Sequence, residues 1–216
     1  MRNVNFSNLE FNPPSPVKPL LKSIDLPHAR LLLDTGEIRL HIISYYRDIE
    51  DEAVRDQYEG IGIINCRGNP VRIQGLMDTF VWCTSQAQVS PQELAKKYGR
   101  SAVLILNDPF EFARRLITAA YEFGSEWSLQ CCPVVYDKRS YRDRNPEDDH
   151  DEEPSEFYVF QKDASFSHET EYRFALTDLN WRKYKNNFLT FKLRPCADIM
   201  EVREEEKIPT TGASVS

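Results

Sequence analysis

Residues 166–176 read Phe-Ser-His-Glu-Thr-Glu-Tyr-Arg-Phe-Ala-Leu, which sets Glu169, Glu171 and Arg173 two positions apart. On a strand, residues two apart share a face, so these three are predicted to project together while Tyr172 and Phe174 face the core. Two carboxylates on one face can divide labour. One stabilises a developing cation and the other orients or deprotonates a nucleophile. The plainer explanation is a solvated strand face with a Glu–Arg pair, which contributes little.

Two further segments carry polar groups on apolar strands. Phe80-Val-Trp-Cys-Thr84-Ser85-Gln86 ends in two hydroxyls that could fix a neighbouring carboxylate or a ribose. Ser and Thr at such a place more often serve a turn. In Ile38-Arg39-Leu-His41-Ile-Ile-Ser-Tyr45-Tyr46-Arg47, Arg39 and His41 share a face. An Arg there can hold a phosphate bidentately, and the tyrosines can stack on a flat ring. The ordinary alternative is an amphipathic edge strand with core tyrosines.

The elements that must position these residues are mixed. Residues 1–27 hold five prolines and are expected to form an extended arm. Residues 30–46 read as strand, turn at Thr35-Gly36, strand. The charged segment 47–60 is expected to be a short helix or ordered loop, and 61–74 a hairpin around Gly68-Asn69-Pro70. Ser90-Pro-Gln-Glu93 and Asp108-Pro-Phe-Glu111 each carry an N-cap, a proline at the first helical position and an acid at the third. The second of these helices has Ala113, Leu116, Ile117, Ala120 and Tyr121 on one face. The apolar run between them, 102–106, is a buried strand. Residues 129–136, 157–160, 171–176 and 188–193 are strand-like, and Tyr184 to Met200 forms a last strand with its turn. Many strands with two clear helices and no repeat indicate α+β rather than a βαβ array. The domain is expected over 28–200, with an acidic loop at 143–156 and a flexible tail over 201–216.

A chain of 216 residues, 41% of them hydrophobic, has enough apolar material for one domain with a real core. No apolar run reaches membrane-spanning length, and the first residues do not look like a secretory signal, so no membrane partner is expected. The net charge of −7 disfavours a protein devoted to holding duplex nucleic acid. That charge is local, because residues 147–156 carry seven carboxylates and no Lys or Arg, leaving the rest neutral. Five cysteines without zinc-site spacing indicate reduced thiols and a cytoplasmic protein. Dinucleotide-fold, P-loop, serine-elbow and zincin motifs are absent.

The three segments, in their order, resemble the ADP-ribosyltransferase superfamily in its Arg-Ser-Glu form. The counterparts are Arg39, Cys83-Thr84-Ser85, the helix after Ser90 with strand 102–106, and Glu169-Thr-Glu171. The chain is also similar, over about residues 36–176, to a family of uncharacterised bacterial proteins. The likeness lies in SYYRDIEDEAVRDQYEG, the Trp-Cys-Thr-Ser strand, YGRSAVLIL and FQKDASFSHETEYRF. Cys83 replaces the first hydroxyl of the superfamily's Ser-Thr-Ser, and His41 competes with Arg39 for the first position.

The resemblance implies a split two-sheet β core with flanking helices and NAD as co-substrate in a cleft between the sheets. Arg39, His41, Tyr45, Tyr46 and Thr84 would bind it. Glu171 would stabilise the ribose as nicotinamide leaves, Ser85 would position Glu171, and Glu169 would help the acceptor attack. The implied setting is a bacterial or phage toxin or defence effector acting on a protein or nucleic-acid acceptor, with a neutralising or regulatory protein as a further partner. No metal is needed. Two other readings stay open: a non-catalytic interaction or regulatory domain of a bacterial conflict system, and a Mg²⁺-dependent nuclease using Glu169, Glu171 and Asp residues. The transferase reading requires Arg39, Ser85 and Glu171 to line one cleft on adjacent strands.

Overall fold

The structure, a computed structural model, describes residues 9–11, 19–48, 56, 59–66, 69–74, 78–86, 90–124, 126–137, 142–144, 155–180 and 182–204. It is a mixed α+β fold around a mostly antiparallel sheet. In chain order the elements are β1 (Leu9–Phe11), β2 (Leu20–Ile24), α1 (Leu26–Thr35), β3 (Glu37–Ile42), β4 (Ile61–Cys66), β5 (Asn69–Gln74), β6 (Thr79–Gln86) and α2 (Pro91–Lys97). There follow β7 (Ala102–Leu106), α3 (Pro109–Phe123), β8 (Trp127–Pro133), β9 (Val135–Asp137), β10 (Arg142–Arg144), β11 (Gln161–Asp163), β12 (Glu171–Asp178), β13 (Phe188–Lys192) and β14 (Met200–Glu204).

The main sheet runs β1-β8-β12-β6-β2-β7-β14, and β6 also pairs with β3, which carries β13. Strand β12 covers one edge of β6 from Thr79 to Ser85. The other edge is shared: β2 pairs at Ser85 and Gln86, and β3 pairs at Phe80 and Val81. The sheet therefore forks along β6, with β2-β7-β14 on one branch and β3-β13 on the other. At the fork Lys22 Nζ donates to the Cys83 carbonyl oxygen at 2.8 Å, satisfying an acceptor that neither branch reaches.

Helices α1 and α3 cover one face. Ala29, Leu32 and Leu33 of α1 and Phe112, Ala113, Leu116, Ile117 and Ala120 of α3 are buried in one cluster with Phe80, Trp82, Leu104, Leu106, Leu129 and Phe174. Helix α2 covers part of the opposite face, where Leu94 and Ala95 pack on Leu21, Val103 and Ile105. Strand β7 lies between both layers, which is why 102–106 is apolar at every position and buried throughout. The helix starts follow their sequence signals. Ser90 Oγ accepts from the Glu93 backbone N–H while Glu93 Oε2 accepts from that of Ser90, a closed capping box. Asp108 Oδ1 accepts from the Glu111 N–H at 3.1 Å.

Several local expectations are overturned. Residues 30–35 belong to α1 and not to a strand. Pro27 sits in the first turn, Ala29, Leu32 and Leu33 recur at helical spacing, and Gly36 closes the helix at φ 77° with its N–H on the Leu32 carbonyl. Residues 157–160 lie in a 3-10 turn over Ser155–Phe160. Strand β2 and the short β1 draw part of the proline-rich N-terminal segment into the main sheet. Strand β14 extends the main sheet to Glu204, past Met200, by pairing with β7. The hairpin expected over 61–74 is present as the antiparallel pair β4–β5. Most of the charged segment 47–60, the acidic residues 147–154 and the tail from 205 lie outside the described residues. Among the described residues no helix is long and apolar enough to cross a membrane. Cys83, Cys131, Cys132 and Cys196 carry free thiols.

Gly36 is under two constraints at once. Its φ is left-handed, and an added Cβ would fall 2.1 Å from the Leu193 carbonyl oxygen. Gly99 is left-handed too, at φ +59°, but faces open space. Gly99→Ala is expected to cost about 1–2 kcal/mol, the left-handed penalty alone. Gly36→Ala should cost more than about 3 kcal/mol, because backbone must move as well. Urea unfolding of the two variants measures the difference.

Candidate functional site

The register of three neighbouring strands assembles the site. Glu171 stands opposite Ser85, Arg173 opposite Cys83 and Ala175 opposite Val81 across β12–β6, and Val81 stands opposite His41 across β6–β3. Cross-strand partners share a face, so Glu171, Arg173, Ser85, Cys83 and His41 project to one side, with Arg39 two residues along. The alternate residues Tyr172, Phe174, Phe80 and Trp82 fill the core on the other side, as the sequence predicts.

Glu169 is not on the strand. It ends a 3-10 turn over Ala164–Glu169, and Thr170 follows with a left-handed backbone at φ 44°. That conformation is unfavourable for a β-branched residue. It is held by the Thr170 N–H on the Ser167 carbonyl and the Thr170 hydroxyl on the Gln86 carbonyl. The turn breaks the period-two alternation yet brings Glu169 back beside Glu171 by another route.

A buried ion cluster results. Arg173 Nε and Nη2 donate to the two oxygens of Glu171 at 2.7 and 3.0 Å. Arg173 Nη1 and Nη2 also donate to the two oxygens of Glu59 at 2.6 and 3.0 Å, and Nη1 reaches the Val159 carbonyl. Lys162 Nζ lies 2.5 Å from Glu169, 3.3 Å from Glu171 and 3.8 Å from Glu59. The exposures of Glu59, Lys162, Glu169, Glu171 and Arg173 are 2%, 5%, 7%, 6% and 1%. Three acids and two bases share a site nearly closed to water. The Glu171 backbone N–H donates to the Tyr136 hydroxyl at 2.7 Å, tying β12 to β9.

The two glutamates are driven apart. Burial opposes ionisation of Glu171, but Arg173 and then Lys162 outweigh it and hold the carboxyl well below the usual carboxylate range. Burial raises Glu169, Lys162 opposes the rise, and the charge on Glu171 adds to it, so its pKa ends above normal. Burial, then Glu171, pushes the Cys83 thiol up, so it stays protonated. Burial likewise raises the Tyr46 hydroxyl, with Cys83 and Glu171 adding to it.

The remaining predicted residues are placed as follows. Ser85 is the cross-strand partner of Glu171, but the carboxylate is oriented by Arg173 and Lys162 instead. Thr84 faces the core and donates to the Tyr172 carbonyl at 2.8 Å, so it stands apart from the site. Tyr46 packs with Val81, Val159, Phe160 and Ala175 near the cluster. Tyr45 stacks on His41 at 4.5 Å between centroids. Arg39 is exposed, with its guanidinium 4.3 Å from the centre of the Phe188 ring. Its strand is adjacent to those of Ser85 and Glu171, but its charged end lies at the open margin and Glu171 is enclosed.

His41 Nδ1 is buried without a hydrogen-bond partner. With the Arg39 guanidinium and the Tyr45 ring it forms a polar and aromatic group of the kind a nucleotide's phosphates and rings require. Among the described residues no three His, Cys, Asp or Glu side chains are grouped as metal ligands. Comparison of the chain with family models, with curated proteins and with solved structures finds no match.

Lys162 and Glu59 escape the sequence reading. Lys162 is visible only as the single base of Gln161-Lys-Asp, seven residues before Glu169. Glu59 sits 114 residues from its partner Arg173 in a segment rich in charge, where no spacing marks it out.

Two outcomes follow from these charges. Arg173→Met leaves three buried carboxylates facing Lys162 alone and should cost about 3–5 kcal/mol by urea unfolding. Adding Glu59→Gln should restore part of that loss, because the two residues are coupled. Burial, aided by Lys22 and Arg39, lowers His41 from 6.5 to about 4. Its contribution to stability is therefore present above pH 6.5 and is lost as pH falls toward 4. His41→Phe should flatten that part of the stability profile, measured as unfolding midpoints from pH 7 to pH 4.

Proposed function

We propose that this chain is an NAD-dependent ADP-ribosyltransferase that modifies a macromolecular acceptor. The observation that carries the reading is the adjacency of β3, β6 and β12 at a fork in the sheet, with Arg39 and His41, Ser85, and Glu171 on one face. This is the strand order that the resemblance requires, and a single cleft reaching from Arg39 to Glu171 is part of the proposal. A split two-sheet core of the transferase kind is part of the same proposal.

NAD supplies an activated ribose whose bond to a cationic nicotinamide breaks with the electron pair passing to the ring nitrogen. Glu171 provides fixed negative charge beside the ribose carbon where positive charge develops. Its pairing with Arg173 keeps it ionised without reorganisation during the reaction. His41 and Arg39 bind the phosphates or the adjacent ribose, and Tyr45 packs against a ring. Tyr46 closes the buried side. Glu169 accepts the proton that the acceptor's hydroxyl or amine gives up as its oxygen or nitrogen bonds to the ribose carbon. The bond made, the bond broken and the proton balance without an external reagent.

A specific observation favours a second reading. Both oxygens of Glu171 are engaged by cations and the residue is 6% exposed, as in a purely structural ion cluster. On that reading the chain is a non-catalytic interaction domain of a conflict system.

Consumption of labelled NAD by purified protein, with cell lysate as the acceptor source, separates the two. The transferase reading expects label on protein or nucleic acid, and a loss of at least about 100-fold for Glu171→Gln. A folded protein that turns over no NAD with any acceptor overturns it in favour of the interaction domain.

A further inference from the structure

The buried cluster holds one lysine against two glutamates whose other partners are unequal. Glu171 accepts two bonds from Arg173 and one from Lys162. Glu169 has Lys162 as its one cation within salt-bridge distance among the described residues, at 2.5 Å. Lys162 lies on β11, which pairs with β9 at Val135–Asp137, so its backbone is held by a strand other than β12. Its ammonium also lies 4.8 Å from the centre of the Phe166 ring, which limits its swing on that side.

We propose that Lys162 is a positioning residue for Glu169: Arg173 makes Glu171 the permanent anion, and Lys162, bridged to both glutamates, holds Glu169 beside it and restrains its hold on a proton, so that Glu169 can both gain and lose one. The catalytic consequence rests on the transferase reading, whereas the bridge itself does not. Lys162 sets Glu169 at the edge of the cluster with one of its oxygens held. Thr170, left-handed between the two glutamates, turns Glu169 out of the strand so that one ammonium can reach both. Had the strand continued back through Thr170, Glu169 would stand two residues along the same face, more than about 6 Å away.

The groups that face Glu169 come from five other elements and from its own turn. Lys162 belongs to β11, Glu171 and Arg173 to β12, and Glu59 to the turn before β4. Tyr136 of β9 and Lys97 with Tyr98 at the end of α2 interact with it electrostatically. His168 precedes it in its own turn. Lys97 acts on Glu169 from the end of α2, whereas Glu171 keeps its two bonds from Arg173 whatever happens at Lys162, so removal of Lys162 weighs most on Glu169.

The test is a pH titration of protein carrying ¹³C-labelled glutamate carboxyls, followed by NMR, with Glu169→Gln and Glu171→Gln used to assign the two signals. In the wild type, Glu169 should protonate at higher pH than Glu171. In Lys162→Met the Glu169 midpoint should rise by about one to three pH units, the usual effect of removing a close opposite charge. Lys162→Arg should stay near the wild type. Glu171 protonating first, or a Glu169 midpoint unmoved in Lys162→Met, overturns the proposal. If Lys162→Met does not fold, Lys162→Gln, which keeps a donor without the charge, takes its place, and its Glu169 midpoint should rise in the same way. In the NAD assay, the acid limb of kcat/KM should move upward with the Glu169 midpoint, which loss of packing alone would not do. Absent NAD turnover with the titration order intact overturns the transferase reading and leaves the bridge standing.

Discussion

The guanidinium of Arg173 is the point on which the site depends. It is 1% exposed and joins a strand residue, Glu171, to Glu59, which lies before β4 and far away in sequence. A buried charge with no partner costs several kcal/mol, so neither acid could occupy its place alone. The planar fork suits two carboxylates at once, which an ammonium could not hold bidentately. Lys162 completes the cluster from a third direction. Glu59, between Arg47 and β4, is thus joined to the middle of the sheet by ion pairing, while Arg47 Nε donates to its backbone carbonyl.

This arrangement is favourable for specificity more than for stability. A hydrophobic cluster of equal volume would serve the fold as well or better. The opposite face shows the alternative in the same strands, where Trp82, Phe112 and Phe174 pack at ring separations of 4.5 to 5.8 Å. One pair of strands therefore carries a mainly apolar face that packs on the helices and a charged face opposite it. The left-handed Thr170 has the same character. A glycine would relieve it, yet a threonine stands there and uses its hydroxyl to bind the Gln86 carbonyl. Charge burial and backbone strain coincide at the two glutamates, which is where a functional site would concentrate both.

What was legible in the sequence was what local rules control. The capping signals at Ser90 and Asp108 start helices as read, and the apolar run 102–106 is a strand buried on both sides. The alternation from Glu171 onward was correct because β12 is a regular strand. The same alternation failed one residue earlier, at Thr170, since nothing in Glu-Thr-Glu announces a left-handed backbone. Residues 30–35 failed for a related reason: a short run of Ala, Arg and Leu fits either period, and the helix is decided by Pro27 and Gly36 at its ends. Glu59 and Lys162 were illegible because their meaning is a distance in space. Glu59 lies 114 residues from Arg173, and only the folded register makes them neighbours.

The fork along β6 links these features. Two branches leave one edge of β6, and between them Cys83 keeps a backbone carbonyl that no strand satisfies. Lys22 fills the gap from β2, and its charge also acts on Glu171 and on His41. A sheet that closed fully would leave no such opening, and the Lys22 ammonium would stand elsewhere. Because it forks, the strand that carries Cys83 and Ser85 has a cation on one side and the Glu171–Arg173 pair on the other. His41 stands on the second branch, kept neutral by burial and by Lys22 and Arg39. Positive charge at the margin, a neutral imidazole next to it and an enclosed anion behind form a gradient across three strands. An anionic group drawn to Arg39 would meet that gradient in the order needed to keep its own charge away from Glu171.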